Sequence, residues 1–371
     1  MSKIPEELIQ KYLNHTCTPE ERSILESWYN AMAATEQSEQ TNLDYQELEK
    51  TIWKELHKKN KPVKKINWSL MGAAAACLLI CFLVYQTRIP TVVEEPAKPI
   101  LSKILPGGNK AELILEDGAV IPLVDGTVGL LATENGVAIT QHGSGRLVYH
   151  GSHSESVTEV KFNTLRTPKG GQYQIDLPDG TRAWLNAASS LKFPTTFNGS
   201  ERRVELMGEV YFEVAVNKHQ PFKVVSQDQT IEVLGTHFNV NSYPNEMVTT
   251  TTLFEGSVKV SASTRTAVIQ PGEESVFNRN TQQIKIQKAN LEEVKAWRMG
   301  YFQFQNEAIS SIMRKLSRWY NMEVFYTKDF VDQRFNGSVS RFEDAEKVLK
   351  MLEYTGTVHF KREGRRITVM P

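Results

Sequence analysis

Short runs of alternating hydrophobic and polar residues fill the chain from residue 104 to about 289, separated by turn dipeptides such as Asp117-Gly118 and Asp179-Gly180. A period of two residues is typical of β-strands with one buried face. Two stretches, 106–123 and 168–185, repeat Pro, Gly, Leu, Asp-Gly and a final Leu in the same register. Repeated strand–turn–strand units predict an all-β domain over 104–289, solenoid-like or sandwich-like.

The period changes near residue 290. Apolar positions recur at helical spacing over 307–319 and again between Ser340 and Tyr354, and strand-like runs precede, separate and follow these segments. This βαββαβ order, with one further strand at the end, predicts a compact α+β domain over 290–371.

Residues 1–57 also follow the helical period, and three apolar stripes there predict a small all-α head. Thr18, Pro19 and Glu21 form a helix-start signal between the first two stripes. A head of this size has a thin core. Either a partner helix completes it or it is a self-contained bundle, and the sequence leaves both open. The stripes are Leu8, Ile9, Tyr12 and Leu13; Ile24, Leu25, Trp28 and Met32; and Tyr45, Leu48, Ile52 and Leu56.

An uncharged apolar segment runs from residue 66 to residue 86, with Trp68 and Tyr85 near its ends. About 20 such residues span the hydrocarbon layer as a helix, and aromatic rings favour its two interfaces. Five lysines between 58 and 65 precede the segment, so the positive-inside rule predicts a cytoplasmic N-terminus. The proline-rich stretch 87–103 then becomes a periplasmic linker.

Charge and cysteine content narrow the function classes. The chain has 43 basic and 43 acidic residues, and the basic ones form no broad patch that indicates nucleic-acid binding. Its three cysteines are Cys17, Cys77 and Cys81, so the part after residue 81 has no disulfide available. We interpret Cys77 and Cys81 as small apolar residues of the membrane segment.

Candidate catalytic and metal-binding chemistry is weak. No phosphate-binding or dinucleotide-binding loop is present. His150 and His153 have a metal-ligand spacing but no acidic or cysteine partner, so we expect a solvated loop. Asp117 and Asp179 each precede glycine, which is ordinary turn chemistry. The sequence therefore predicts no enzyme, no cofactor and no metal.

Several blocks of the β region resemble the FecR family of membrane-bound sigma-factor regulators. They lie at 167–173, 177–181, 184–187, 208–214, 221–224 and 233–240 and occur in the family's order. The C-terminal module is similar to the domain that follows FecR domains, which has the layout of the secretin/TonB short N-terminal fold. The head matches the family only in size, acidity and helicity.

The resemblance implies an anti-sigma factor in the inner membrane. Its head would bind an extracytoplasmic-function sigma factor, and its periplasmic part would receive a signal from the N-terminal domain of a TonB-dependent outer-membrane transporter. For that transporter domain we expect contact with edge strands of the C-terminal module. For the sigma factor we expect an interface formed by Leu8, Tyr12, Leu25, Trp28, Ile52 and Leu56.

Some members of the family cleave themselves at a Gly-Thr bond, and Gly235-Thr236 matches that block. A threonine hydroxyl can attack the preceding carbonyl carbon, and glycine tolerates the backbone strain involved. Alternatively, Gly235 only lets two strands approach closely. Because not all relatives cleave, we favour the second interpretation.

The complete prediction is a multidomain protein with an all-α head, one transmembrane helix, an all-β periplasmic domain and a C-terminal α+β domain. The alternative function is a membrane-tethered periplasmic carbohydrate-binding protein or hydrolase, and a third is an envelope scaffold. The structured acidic head favours the regulator, because a tethered enzyme needs no such domain.

Overall fold

The computed structural model describes residues 103–134, 136–143, 145–150 and 160–371. They belong to one compact unit, Pro96–Pro371. The strands of the β body are β1 Gly108–Ile114, β2 Val120–Val124, β3 Gly129–Glu134, β4 Val137–His142, β5 Arg146–His150, β6 Phe162–Thr167, β7 Gly171–Asp176, β8 Arg182–Leu185, β9 Ser189–Pro194, β10 Arg202–Glu213, β11 Phe222–Val225, β12 Thr230–Val233, β13 His237–Ser242, β14 Val248–Glu255, β15 Val258–Ala262, β16 Arg265–Ile269, β17 Glu273–Asn278 and β18 Gln283–Lys288.

The remaining elements form the C-terminal module, residues 291–371. They are α1 Leu291–Ala296, β19 Tyr301–Ala308, α2 Ile309–Tyr320, β20 Glu323–Tyr326, β21 Arg334–Ser340, α3 Ala345–Glu353, β22 His359–Glu363 and β23 Arg366–Met370.

Six strands of the β body close into a barrel. Neighbouring strands in the ring pair in the order β1, β6, β9, β10, β8, β7 and back to β1. The last pairing is parallel and short, with Gly108 opposite Gly171 and Asn109 opposite Gln172. Hydrogen bonding therefore continues all the way round, and the barrel strands have no free edge among themselves.

Further strands extend the barrel on both sides through the long strand β10. Its first half pairs with β9 and β11, and its second half pairs with β8 and β13. Gly208 lies between the two halves, at a φ of +91°. A Cβ there would lie 2.7 Å from the Cα of Ser189, so only glycine allows β9 this close at the turning point.

The core follows from the alternation in the sequence. Along β10 the intervening side chains are exposed in the first half of the strand, and Tyr211 in the second half is buried beneath Arg298 of the module. Val204, Leu206, Val210 and Phe212 are buried in the body. They pack against the equivalent positions of the other barrel strands in one hydrophobic core. Because apolar residues point to one face of each strand, their burial fixes the register of the strands.

From residue 301 the C-terminal module has the element order expected from the sequence, and the short helix α1 that precedes it was not expected. Its strands form a pair, β19 with β21, and a three-stranded sheet in the order β20, β23, β22. Helix α2 buries Ile312, Met313 and Leu316 at helical spacing, and α3 buries Val348 and Leu352. These residues form a second hydrophobic core, separate from that of the barrel.

The fold class expected from the sequence is wrong. The two similar stretches at 106–123 and 168–185 do not stack along an axis as repeats of a solenoid or lie as units of an open sandwich. Their first strands, β1 and β7, pair with each other and close a barrel, to which further strands are added. The expected all-α head and membrane helix lie outside the described residues. Within those residues, no helix is both long enough and apolar enough to cross a membrane.

Candidate functional site

The C-terminal module covers one polar face of the β body, and a cavity of about 260 Å³ lies between them. The β-body wall comes from neighbouring strands, where Glu209 is opposite Asn241, and Asn241 is opposite Thr250. Glu274 of β17 extends the same face, opposite Thr252. The module contributes residues from α1, β19 and α2, and from the turn after β21. Its lining side chains include Trp297, Tyr301, Phe302, Gln303, Lys315, Arg318 and Arg341.

Arg341 is the central contact between module and body, with 1% of its surface exposed. Its Nη2 donates to Oδ1 of Asn186 at 2.7 Å, and its Nη1 donates to the carbonyl of Trp297 at 2.8 Å. The guanidinium lies 3.8 Å from the ring centroid of Trp319. Burial lowers the pKa of Arg341 to about 10, so the side chain stays charged at neutral pH.

Arg341 also connects to a carboxylate through one intermediate. Asn186, which accepts from Arg341, donates to Oε2 of Glu209 at 2.7 Å. Glu209 accepts from Asn239 at 3.1 Å through its other oxygen. A charged network of this kind is stable in a buried setting only because each member has partners.

A second contact involves Glu246 of the body and α2 of the module. Glu246 accepts from Arg314 Nε at 2.9 Å and also pairs with Arg318. Burial by itself would raise the pKa of the Glu246 carboxyl, but the hydrogen bonds from the two arginines outweigh it and hold the pKa below its ordinary value. Arg318 stacks on the ring of Tyr243 at 3.8 Å. Burial raises the pKa of the Tyr243 hydroxyl far above its ordinary range.

A third contact follows α1. Arg298 donates to Oε1 of Glu213 at 2.8 Å and stacks on Tyr211 and Trp184, with ring centroids at 4.2 Å and 4.9 Å. Thus three arginines of the module each combine a polar partner with an aromatic ring. Planar guanidinium groups suit this double role, whereas a lysine ammonium does not.

The leading segment, residues 103–107, is also part of this junction. Ile104 is buried in the core of the C-terminal module although it precedes the first barrel strand. Its carbonyl accepts from Ala345 N at 3.3 Å, at the start of α3. A Cβ on Gly107 would lie 2.8 Å from ring atoms of Trp319. The chain therefore enters the barrel through the module.

The Gly235-Thr236 bond lies in the turn between β12 and β13. Thr236 is 3% exposed, and its hydroxyl donates to the carbonyl of Ser257 at 3.3 Å. A Cβ on Gly235 would lie 2.6 Å from Cγ2 and 2.8 Å from Cα of Val216. This close approach is sufficient to require glycine here. Cleavage of the Gly235-Thr236 bond remains a hypothesis.

The other site residues expected from the sequence fall outside the described residues. These are the sigma-binding residues Leu8, Tyr12, Leu25, Trp28, Ile52 and Leu56 and the membrane anchors Trp68 and Tyr85. His150 is described and contacts Oγ1 of Thr140 at 2.8 Å. No group of three or more His, Cys, Asp or Glu side chains in the described part of the chain is placed to hold a metal ion.

Comparisons with known proteins identify both parts of the described structure. The profile of the family described as FecR protein matches residues 163–259, and the profile described as FecR, C-terminal matches 301–369. The chain is a FecR-domain protein. The matched family is regulatory, which confirms the prediction that the FecR-domain protein is not an enzyme.

Two crystal structures of a candidate anti-sigma factor from Parabacteroides distasonis resemble this FecR-domain protein. The structure at 1.65 Å resolution is 29% identical, with a TM-score of 0.53 over 56% of this chain and 97% of that one. The structure at 2.50 Å is 28% identical, with a TM-score of 0.53 over 56% of this chain and 98% of that one. No curated protein matches the chain. These likenesses support a role in sigma-factor regulation.

Sequence reasoning missed the cavity between body and module. Along β10, β13, β14 and β17 its residues occupy the outward positions of an ordinary alternating pattern, which predicts a solvated face. One signal was available: the outward residues Glu209, Asn239, Asn241, Thr250 and Glu274 include no lysine or arginine. Long cations are common on open surfaces, so their absence here was informative.

Proposed function

We propose that this FecR-domain protein relays a signal from a TonB-dependent outer-membrane transporter to an extracytoplasmic-function sigma factor. The observation that carries the proposal is the joining of a FecR domain and a FecR C-terminal domain in one compact unit. The likeness to the anti-sigma factor structures supports the same role.

The proposed arrangement places residues 1–57 in the cytoplasm as the sigma-binding part and 66–86 in the inner membrane. Residues 87–103 form the linker, 104–289 the periplasmic FecR-like part and 290–371 the signalling part. The lysines between 58 and 65 and the apolar stretch that follows them support this orientation.

For the transporter domain we propose strand addition to β20. In the three-stranded sheet β20 pairs only with β23, so its outer backbone edge has no partner among the described residues. Phe325 and Tyr326 of β20 are 40% and 39% exposed. An open edge with exposed aromatic residues favours an added strand, whose backbone would supply the hydrogen bonds.

The test of the function is capture of the sigma factor. The full-length protein, purified with the sigma factor encoded nearest to it, is expected to form a stable complex. Trp28→Asp places a charge in the central apolar stripe and is expected to abolish the complex. Gln40→Asp, between the predicted stripes, is the matched control and should leave capture unchanged. Undiminished capture by Trp28→Asp would overturn the assignment of that stripe, and no capture by the wild type would overturn the function.

A further inference from the structure

We propose that the cavity between the β body and the C-terminal module binds a small, uncharged polyhydroxyl compound such as a sugar ring. The inference goes beyond the regulator function and does not depend on sigma-factor binding. It rests on the charge balance of the lining, on its unused hydrogen-bonding groups and on the position of one aromatic side chain.

The charged groups of the lining are balanced in number, and half of them form ion pairs, whereas Arg341, Glu209 and Glu274 hydrogen-bond to neutral groups. Three carboxylates and three cations line the cavity. Lys315 pairs with Glu293 and Glu307, and Arg318 pairs with Glu246. Glu274 accepts from Gln287 at 2.7 Å. An ion bound in the cavity would upset the balance of three carboxylates and three cations and leave a buried charge uncompensated. A neutral ligand leaves the charge balance of the lining unchanged.

Several uncharged polar side chains in the lining have donors and acceptors that form no hydrogen bond within the described residues. Within the described residues, the side chains of Asn241, Thr250 and Gln303 form no hydrogen bond with other protein groups, although all three line the cavity. Carboxamides and a hydroxyl both donate and accept. Hydroxyl groups of a ligand are the matching chemistry, because each also donates and accepts.

Buried polar atoms of the wall are also left without partners. Oδ1 of Asn239, Nε1 of Trp297 and Nε of Arg341 have none among the described residues. The three residues are 2%, 9% and 1% exposed and all line the cavity. Unpaired buried polar atoms cost stability and are uncommon in native proteins, and they occur where a water or ligand belongs. They lie on both sides of the cavity, because Asn239 belongs to the β body and Trp297 and Arg341 belong to the module.

Tyr301 supplies the apolar surface that a sugar ring requires. It lines the cavity and is 49% exposed, in contrast to the buried Phe302 beside it. Sugars present a face of C–H groups that packs on an aromatic ring while their hydroxyls bond to planar polar side chains. A cavity of about 260 Å³ is slightly smaller than the pockets that hold drug-sized molecules. It suits one or two sugar rings.

The test is a binding titration of the full-length protein with a panel of neutral sugars. D-glucose, D-galactose, D-xylose, maltose and lactose are compared with D-galacturonate and D-galactosamine by saturation-transfer NMR. At least one neutral sugar is expected to bind, and both charged analogues are expected to bind more weakly. Tyr301→Ala should weaken the binding about tenfold. Asn241→Leu, which keeps a branched side chain and removes the amide, should weaken it to a similar degree.

Tyr354→Ala is the matched control, because Tyr354 is 76% exposed and is not part of the cavity lining. It should bind like the wild type. Thermal unfolding of each variant verifies that it folds. The proposal is overturned if none of the neutral sugars binds, if the charged analogues bind more tightly, or if Tyr301→Ala and Asn241→Leu both bind as the wild type does. None of these readouts involves the sigma factor, so failure here leaves the regulator function standing.

Discussion

Arg298, Arg318 and Arg341 hold the C-terminal module against the β body. Arg298 and Arg318 each do so through a polar group and an aromatic ring of the body, and Arg341 does so through Asn186 while it stacks on Trp319 of the module. Arg341 has the least exposure of the three. Its charge is spread between Asn186 Oδ1, the Trp297 carbonyl and the face of Trp319. Contacts of this kind are directional, so they define one relative position of the two parts.

Glu246→Gln tests the ion pairs between body and module. At pH 7 the free energy of unfolding is expected to fall by about 2 kcal/mol, because two arginines lose a charged acceptor. The pKa of the Glu246 carboxyl is lower in the folded than in the unfolded state. Its contribution is therefore complete above the unfolded value and is lost as pH falls through the folded value.

Urea unfolding at a series of pH values measures this effect. The difference between wild type and Glu246→Gln should shrink as pH drops below about 4.5, the ordinary pKa of a glutamate. Glu205→Gln, at an exposed position of β10, is the control and should differ little from the wild type at any pH. A pH-independent difference for Glu246→Gln would mean that the charge of Glu246 is not what stabilises the junction.

Thr236→Ala separates the two interpretations of the Gly235-Thr236 bond. If the hydroxyl attacks the Gly235 carbonyl carbon and displaces the Thr236 nitrogen, an ester forms, and its hydrolysis by water splits the chain. The wild type then yields two fragments and Thr236→Ala a single full-length band. Thr236→Ser keeps the hydroxyl and should restore the fragments. Electrophoresis of the freshly purified protein is the measurement. One band in the wild type would leave close strand packing as the only role of Gly235.

At the scale of elements, the leading segment and α2 meet at a glycine that cannot be replaced. In Gly107→Ala the new methyl group would lie 2.8 Å from ring atoms of Trp319 and from the Gly170 carbonyl oxygen. Such overpacking costs about 1–3 kcal/mol. The variant is expected to loosen the module from the body, seen as faster hydrogen exchange in α2.

Gly108→Ala is a control one residue away. No atom would lie within 4 Å of its Cβ, so exchange in α2 should stay as in the wild type. Equal exchange in both variants would show that the leading segment does not anchor the module.

The sequence predicted the elements better than their arrangement. The order of strands and helices after residue 300 follows from the apolar period, because each helix and strand buries one face locally. Barrel closure could not be predicted, because it depends on β1 meeting β7 across more than 50 positions of chain. The cavity was hidden for a related reason: a polar strand face looks the same whether water or another domain covers it.

At the scale of the whole molecule, the proposed orientation can be tested directly. In spheroplasts, added protease should degrade residues 87–371 and leave an N-terminal fragment that contains residues 1–57, because the lysines before residue 66 favour a cytoplasmic N-terminus. Epitope tags at both ends identify the fragments. A cytoplasmic marker protein controls for lysis. Loss of the N-terminal tag, or survival of the C-terminal tag, would contradict the orientation.

The path of the chain through the module also suggests how a signal could leave the module. The chain passes from residue 103 through the module core at Ile104 before it enters the barrel. A partner that shifts the module therefore acts on the residues that lead back toward the proposed linker. The arginine contacts oppose this movement, because each joins the module to the β body.

Barrel closure by β1 and β7 also has a consequence for biosynthesis. Strand β1 leaves the ribosome before the other strands of the β body, yet two of its three partners, β6 and β7, follow only after residue 160. Because β6 and β7 lie far from β1 in sequence, one edge of β1 stays unpaired until the intervening hairpins have formed. A fragment that begins after residue 114 would leave open edges on β6 and β7. Such a fragment is expected to aggregate through those edges, because they can pair with the edges of a second copy.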